Sequence, residues 1–503
     1  MYQLLIKNAT VYDGTGAEGF GADIGIRDGK IQAVAPGLTG GEQVIDAAGL
    51  AVSPGWIDSH SHSDREVFTF PEMREKIEQG ITFSITGQCG GSAVPTAEES
   101  VEEFFRRVKE IPQGAGFALL IGHNSLRKTV MGTENRDPTP EELEKMKALL
   151  TQGLEAGAIG MSLGLFYVPG CYAKPQEVQE LAKVVAAHGG ILASHIRNEA
   201  DLLMEAVEEY LAVIRASGCR AVFSHHKAAW KENHGKVHES LATIDRANAE
   251  GCDIYLDAYP YEASHTSMLA RFVPQMFHPP GTTSVLALVD DPQIRERIKA
   301  WGKSRWGNDL SSALVSYFPG GEEYEGMNVN EIADRMGLED RYDAAFAVIR
   351  QSGGKAQGCY FSMCPEDVET VLRHERTMIC TDSSVAGKKT CYHPRLRGTF
   401  PRVLGRYVRE KGLVSLPEMI RKITSMPAHV YGLETKGRIA PGMDADLCIF
   451  DPATIRDQAD YQHCRENNVG LHYVIVNGQI ALTQGVSTGV RAGTLYIKGK
   501  KTG

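Results

Sequence analysis

The stretch Gly55-Trp-Ile-Asp-Ser-His60-Ser-His62-Ser-Asp64 places two histidines two residues apart, directly after the apolar run Gly49-Leu-Ala-Val-Ser-Pro54. Side chains alternate between the two faces of a β-strand, so His60 and His62 are predicted to project from the same face. Neutral imidazole is a common metal ligand, and two neighbouring rings can share one cation or flank two. A His-x-His pair also occurs as ordinary surface or core histidines. The choice between these interpretations therefore depends on the rest of the chain.

The size and composition of the chain indicate a large globular protein without a membrane anchor. It has 503 residues, of which 42% are hydrophobic and 23% are charged, as is usual for globular domains. The net charge of −10 and the absence of a long basic run argue against nucleic acid or an anionic membrane as a partner. The N-terminal sequence lacks the features of a secretory signal. We therefore expect a cytoplasmic protein, with its ten cysteines as free thiols or metal ligands.

The two ends of the chain have the same character. Short apolar strands separated by Gly- and Asp-containing turns are predicted at 4–9, 23–27, 31–34 and 44–46, and again at 446–451, 472–478 and 494–498. No helical periodicity interrupts them. Residues 1–54 and 435–503 are therefore predicted to form one small β-sandwich domain built from both termini.

The middle of the chain, 55–434, alternates between apolar strands and amphipathic helices. The strands are predicted at 55–59, 81–87, 117–122, 159–163, 191–195, 221–225, 253–259 and 378–382, with helices at 97–111, 139–156, 175–188, 199–217 and 238–251. This α/β pattern predicts a TIM-like (β/α)8 barrel. Residues from about 265 to 357 break the alternation and are predicted to form an insertion over the barrel mouth. Residues 358–363 are a candidate for a further strand.

Polar residues follow six of the predicted strands, at the end of the barrel where active sites lie. They are His60 and His62 after strand one, Cys89 after strand two, His195 after strand five, His225 after strand six, a Tyr-Pro-Tyr motif after strand seven and Asp382 after strand eight. Histidine, cysteine and aspartate together form a typical set of zinc ligands. A buried cysteine alone is usually structural, but the recurrence of such residues at strand ends favours a metal site.

This set resembles the amidohydrolase superfamily. Many of its members have a carboxylated lysine after strand four, but here that strand leads into Met161-Ser-Leu-Gly-Leu-Phe-Tyr167, without a lysine. A cysteine after strand two replaces the lysine in one branch, the N-acyl-D-amino-acid deacylases or D-aminoacylases. The motifs that carry the resemblance to this branch are Gln88-Cys89-Gly90-Gly-Ser, Gly164-Leu-Phe-Tyr167-Val-Pro, Ser194-His195-Ile-Arg-Asn-Glu199, Ser224-His225-His-Lys227, Asp257-Ala-Tyr-Pro-Tyr261, His393-Pro-Arg395-Leu-Arg-Gly-Thr-Phe-Pro-Arg, Pro441-Gly-Met-Asp-Ala-Asp446 and Val476-Asn-Gly.

The resemblance implies one tight zinc site and a second site that is weaker or empty. The tight site is expected to consist of Cys89, His195 and His225. The second is expected to be framed by His60 and His62, with Cys89 able to bridge and Asp382 nearby. A thiolate favours zinc, and the lack of a bridging carboxylate weakens the second site. His226 is expected to pack on the opposite side of its strand from His225.

The resemblance also implies an activity, the hydrolysis of N-acyl-D-amino acids to a D-amino acid and a carboxylate. Zinc polarises the amide carbonyl and lowers the pKa of water to about 7, while Asp382 is expected to act first as general base and then as general acid. The residues expected to bind the substrate and its α-carboxylate are Lys227, Tyr261, Ser267 and Arg395. Ser264 is a rival to Ser267. Arg271 is a candidate for an extra cation that selects acidic side chains, although arginine usually lies on a solvated surface.

Two other functions are compatible with the scaffold. A cyclic-amide hydrolase, such as a dihydroorotase or hydantoinase, is opposed by the missing lysine after strand four and by the presence of Cys89 and Arg395. A non-catalytic assembly protein is opposed by the complete set of candidate ligands. The oligomeric state and the preferred side chain and acyl group are left open.

Overall fold

The core of the fold is an eight-stranded parallel barrel. The structure is a computed structural model that describes residues 1–385 and 393–499. The barrel strands, numbered one to eight along the chain, are Trp56–Asp58, Ile81–Thr86, Gly116–Gly122, Gly160–Gly164, Ile191–His195, Arg220–Phe223, Ile254–Ala258 and Thr377–Ile379. They follow one another in this order around the sheet, and neighbouring strands pair in parallel. The predicted barrel is confirmed, with small shifts of the strand ends.

Helices cover the outside of the barrel, which explains why the strands are apolar on both faces. All seven residues of strand three and all five of strand five are buried, as expected for parallel strands packed between a core and helices. The helix Pro140–Ala156 begins with a capping box, in which Thr139 and Glu142 bond each other's backbone N–H. The barrel helices are Arg74–Ile77, Val101–Lys109, His123–Met131, Pro140–Ala156, Pro175–Ala187, Leu203–Ser217, Lys236–Ala249, Pro365–Arg373, Arg395–Arg402, Leu416–Ile423 and Ser425–Val430, with a π-helix at Val403–Glu410.

Strands one and eight meet at a seam that contains predicted site residues. The N–H of Asp382 donates to the carbonyl of His60 at 2.9 Å. Below this contact, the buried Asp58 carboxylate accepts hydrogen bonds from the Lys76 ammonium at 2.8 Å and from the N–H of Thr381 at 2.8 Å. The hydrogen bond that joins strands one and eight is thus made by the backbone of two predicted site residues, His60 and Asp382.

A nine-stranded sheet combines the two ends of the chain, and the small β domain predicted from both termini is confirmed. The strand Tyr2–Val11 branches the sheet, because two strands pair with it in parallel. The sheet strands are Tyr2–Val11, Phe20–Arg27, Lys30–Ala35, Gly41–Asp46, Ala51–Pro54, Leu447–Phe450, Leu471–Val476, Gln479–Thr483 and Val486–Ser487. The strand predicted at 494–498 is wrong. That segment instead bonds the backbone of Phe117 at the start of barrel strand three, because an apolar pattern does not specify its partner.

The region between barrel strands seven and eight has a sheet and a core of its own. A buried cluster that includes Phe272, Val315, Tyr342 and Phe346 packs inside it. Its strands are Ala263–Ser267, Ala313–Tyr317 and Gln357–Phe361, and its helices are Met268–Phe272, Val285–Leu288, Pro292–Trp306, Val329–Met336 and Arg341–Gln351. The candidate strand at 358–363 belongs to this sheet and not to the barrel. The exact domain and insertion limits stay predictions.

No helix in the described part of the chain is long and apolar enough to cross a membrane.

Candidate metal centre and active site

A cavity of about 780 Å³ opens at the carboxyl ends of the barrel strands. Residues that follow each of the eight strands line it, including His62, Cys89, Asn124, Tyr167, His195, His225, Tyr259 and Asp382. Arg271, Tyr317 and Tyr360, from the region between barrel strands seven and eight, also line the cavity. A concave site of this size suits a small-molecule substrate.

The first candidate metal-binding group consists of Cys89, His195 and His225. The Cys89 Sγ lies 3.7 Å from His195 Nδ1 and 3.3 Å from His225 Nε2, and the three ligand atoms lie within 4.8 Å of one another. A tetrahedral zinc ion with bonds of about 2.3 Å to sulfur and about 2.05 Å to nitrogen separates these ligand atoms by about 3.6 Å. The spacing and the chemistry of the donors therefore fit zinc.

A second candidate group shares Cys89 and adds His60, His62 and Asp382. His60 Nε2 lies 3.3 Å from Cys89 Sγ and 3.4 Å from Asp382 Oδ1. His62 Nε2 lies 3.0 Å from the same carboxylate oxygen. Both imidazoles face the same group, in agreement with the alternation of strand side chains. Cys89 occupies the junction of the two groups.

Three of these residues have an unusual backbone conformation. The φ angles are +51° at Cys89, +37° at His225 and +47° at Asp382. Residues other than glycine seldom adopt positive φ, and such conformations concentrate at functional sites. At each position the chain turns sharply just after a strand, which directs the side chain into the cavity.

The electrostatic surroundings of Cys89 favour its thiolate. Burial alone raises the pKa of a thiol, but the imidazoles of His60 and His225 hold the pKa of Cys89 well below its ordinary value. The thiolate is the form of cysteine that binds metals. The side chain is therefore prepared to act as a ligand.

Glu199, to which the sequence assigned no role, orients one side of the first group. Its Oε1 lies 2.9 Å from His225 Nδ1 and accepts a hydrogen bond from the Lys227 ammonium at 2.7 Å. Burial raises the pKa of Glu199, but the charges of Lys227 and the histidines outweigh this effect and lower it. An ionised acceptor at Nδ1 leaves Nε2 of His225 free to bind a metal. The sequence feature that could have indicated this role is the position of Glu199 four residues after His195.

Arg395 contacts Asp382 directly. Its Nη1 donates to Asp382 Oδ2 at 2.7 Å, and its guanidinium lies over the Tyr259 ring with a centroid distance of 5.0 Å. Burial raises the pKa of Asp382, but Arg395 and the neighbouring histidines hold it well below its ordinary range. Asp382 is thus ionised, with Oδ2 engaged by Arg395 and Oδ1 turned towards the histidines.

Two of the predicted substrate-binding residues do not line the cavity. Tyr261 packs against His393 and Arg402, and Tyr259 lines the cavity instead. The Ser267 hydroxyl accepts a bond from the N–H of Ala270 at the start of a helix. Its rival Ser264 lines the cavity. His226, expected to pack away from the site, bonds the Ser240 hydroxyl at 2.7 Å.

The other predicted site residues come together around the cavity. They are His60, His62, Cys89, His195, His225, Lys227, Asp382 and Arg395. Arg271, considered as an extra cation, also lines the cavity.

Comparison with known proteins identifies the family of the chain. A family model described as the amidohydrolase family matches residues 43–482. An N-acyl-D-glutamate deacylase of Alcaligenes xylosoxydans xylosoxydans is 35% identical and covers 94% of this chain and 92% of its own length. The crystal structure of an N-acyl-D-glutamate deacylase from Bordetella bronchiseptica, complexed with zinc and a phosphonate mimic of the tetrahedral intermediate, is 34% identical, with a TM-score of 0.86 and 99% coverage of both chains.

A solved D-aminoacylase with a binuclear metal centre, for which one-metal activation and second-metal attenuation are described, is 32% identical. It has a TM-score of 0.85 and covers 99% of this chain and all of its own. The resemblance predicted from the strand-end motifs is confirmed, and the chain belongs to the amidohydrolase family, in the branch of the N-acyl-D-amino-acid deacylases.

Proposed function

We propose that this protein is a zinc-dependent N-acyl-D-amino-acid deacylase, which hydrolyses the amide bond to give a D-amino acid and a carboxylate. The observation that carries the proposal is the position of Cys89 at the junction of two candidate metal-binding groups, beside an ionised Asp382. The relatives named after this activity support it over hydrolysis of a cyclic amide. The preference for D-amino acids rests on those relatives.

In this proposal Cys89, His195 and His225 hold the tightly bound zinc. The short separations of their ligand atoms and the lowered pKa of the thiol support this assignment. His60 and His62, with Cys89 and Asp382, form a second and weaker site. When bound, zinc supplies a Lewis acid that polarises the amide carbonyl and activates water.

Asp382 is proposed to transfer the proton. Because Arg395 engages Oδ2, the free oxygen for this step is Oδ1, which lies beside His60 and His62. Oδ1 accepts a proton from the attacking water and delivers it to the leaving amine. One carboxylate thus serves as base and then as acid.

Lys227 and Arg395 are proposed to bind the α-carboxylate of the substrate. Both cations line the cavity next to the Tyr259 ring, and Lys227 Nζ lies 5.5 Å from the centre of that ring. Tyr259 and Ser264 take the places that the sequence assigned to Tyr261 and Ser267, because they reach the cavity. A charged pair beside an aromatic ring suits a carboxylate.

A substrate panel tests the proposal. Purified protein with measured zinc content is assayed with N-acetyl-D-amino acids, their L-enantiomers, and hydantoin and dihydroorotate. We expect turnover of the D-series only. Turnover of the ring compounds alone would establish the cyclic-amide alternative and overturn the proposal, as would a zinc-loaded protein that hydrolyses none of the D-series.

We also propose that the protein is cytoplasmic and that it can bind a second metal ion. To test the second site, the metal-free protein is titrated with zinc while its activity and its bound metal are measured. We expect activity to rise to its maximum at one zinc per chain. A maximum reached only at two would contradict the assignment of a single tight site.

A further inference from the structure

Arg271 differs from the other cations of the cavity wall in how its charge is compensated. Lys227 is paired with Glu199 and Arg395 with Asp382. Arg65 and Lys128 are exposed to solvent. Arg271 is half-buried, and among the residues that the structure describes it has neither an acidic partner nor a hydrogen-bond acceptor; its Nη2 is completely buried. A buried cation without a partner is costly and indicates a missing anion.

Aromatic rings hold the guanidinium by its faces. The distance from the guanidinium carbon to the ring centroid is 4.1 Å for Trp230, 4.5 Å for Trp306 and 5.9 Å for Tyr360. Stacking of this kind stabilises the cation without using its N–H groups. The rings leave the N–H groups of Arg271 unused, so the part of the guanidinium that lines the cavity keeps donors for an anionic acceptor.

The acidic side chain whose charge acts on Arg271 is engaged elsewhere. Asp201, whose charge reaches Arg271, is paired with Arg305 and accepts a bond from Asn233. Burial lowers the pKa of Arg271 to about 10, so the side chain remains charged at neutral pH. The charge is thus present and fixed in place, and the described part of the protein does not neutralise it.

Arg271 contacts the loop that carries Lys227, one of the proposed α-carboxylate ligands. Trp230, on which it stacks, follows Lys227 by three residues in the loop after barrel strand six. The proposed α-carboxylate ligands also follow strands six to eight. Phe70 and Phe166, which follow strands one and four, also line the cavity and are apolar candidates for contact with the acyl group.

On the basis of the proposed deacylase function, we infer that Arg271 is a specificity-determining residue that binds a carboxylate on the side chain of the substrate. The preferred substrates are N-acyl derivatives of acidic D-amino acids, D-glutamate or D-aspartate. Trp230 and Trp306 are positioning residues, because they fix the plane of the guanidinium.

The test compares N-acetyl-D-glutamate with N-acetyl-D-glutamine, and N-acetyl-D-aspartate with N-acetyl-D-asparagine. Within each pair the shape is conserved and the charge is removed. We expect the kcat/KM of the wild-type protein to favour one acid over its amide by at least about 10-fold, as for a charge-assisted hydrogen bond. The Arg271→Met variant is expected to lower that ratio by about 10-fold to 100-fold, mainly through KM.

Arg297→Gln is the matched control. Arg297 lies in the same insertion and over an aromatic ring, that of Phe277 at 5.7 Å, but it is exposed and does not line the cavity. Its acid-to-amide ratio should stay within about threefold of the wild-type value. If the acid-to-amide ratio fell equally in Arg271→Met and Arg297→Gln, the effect would be due to net charge, and the inference would be overturned.

The wild-type ratios remain decisive if Arg271→Met does not fold, which circular dichroism and zinc content would reveal. Equal kcat/KM for acids and amides overturns the role of Arg271 but leaves the deacylase function intact. If the zinc-loaded protein hydrolyses none of the N-acetyl-D-amino acids, the deacylase function itself is overturned.

Discussion

Replacement of Asp382 by asparagine tests the centre of the proposed mechanism. The amide has nearly the same shape and can still accept the hydrogen bond from Arg395, which lies 2.7 Å from Asp382 Oδ2. It cannot accept a proton at Oδ1, the oxygen next to His62. The variant therefore removes the acid–base function and leaves most of the geometry unchanged.

The expected magnitude follows from this separation of roles. General acid–base catalysis contributes about 10² to 10⁴ in rate, which is about 3 to 5.5 kcal/mol of activation free energy. The group of Cys89, His195 and His225 does not include Asp382, so the tightly bound zinc should be retained. We expect kcat to fall by that factor, with zinc content unchanged.

Steady-state kinetics with an N-acetyl-D-amino acid and metal analysis of the same sample provide the measurement. Asp367→Asn is the control, because Asp367 is also buried but bonds the N–H of Gly235 outside the cavity. Its kcat should stay within about threefold of the wild-type value. An Asp382→Asn variant that binds zinc and turns over within about 10-fold of wild type would refute the acid–base role.

Further changes probe the metal, the substrate and the stability. Cys89→Ala should lower the zinc content measured by atomic absorption to less than about a tenth of an ion per chain and abolish activity; normal zinc binding would contradict the assignment. Arg395→Lys should raise KM by about 10-fold or more, because lysine lacks the planar fork, and unchanged kinetics would remove it from the site. Lys76→Met leaves a buried carboxylate unpaired and should cost about 3–5 kcal/mol in urea unfolding; a loss below about 1 kcal/mol would contradict this. Burial lowers the pKa of His278, so the unfolded chain binds a proton that the folded protein does not as pH falls below about 6.5. His278→Gln should therefore reduce the decrease in the free energy of unfolding, measured with urea, between pH 7 and 5. If the variant and the wild-type protein lost the same free energy over this range, His278 would not have this role.

The barrel and the first set of candidate ligands could be predicted from the sequence because each depends on a local pattern. Apolar strands and amphipathic helices have distinct periods, and residues that end parallel strands meet at one rim. His60, Cys89, His195 and Asp382 come from distant parts of the sequence, yet each directly follows an apolar strand. Their convergence is a consequence of topology, which the sequence pattern specifies.

The details beyond the strand ends could not be predicted in the same way. Strand seven ends at Ala258, so the alternation of faces no longer applies to Tyr259 and Tyr261, and only Tyr259 reaches the cavity. Ser264 and Ser267 lie in the insertion, whose strand begins at Ala263, and their positions depend on tertiary packing. Which cations are paired is also a tertiary property, and no spacing in the sequence indicates that Arg271 stacks on Trp230.

The seam between the first and last barrel strands couples folding to activity. The backbone bond between Asp382 and His60 joins the two ends of the barrel, and the same two residues belong to one candidate metal-binding group. A local opening at this junction would separate the carboxylate that is proposed to transfer the proton from the rest of the centre, while the other strands remained folded. Heat or denaturant should therefore inactivate the protein before its global unfolding. A metal bound by residues of both strands would stabilise the contact between the first and last strands of the barrel.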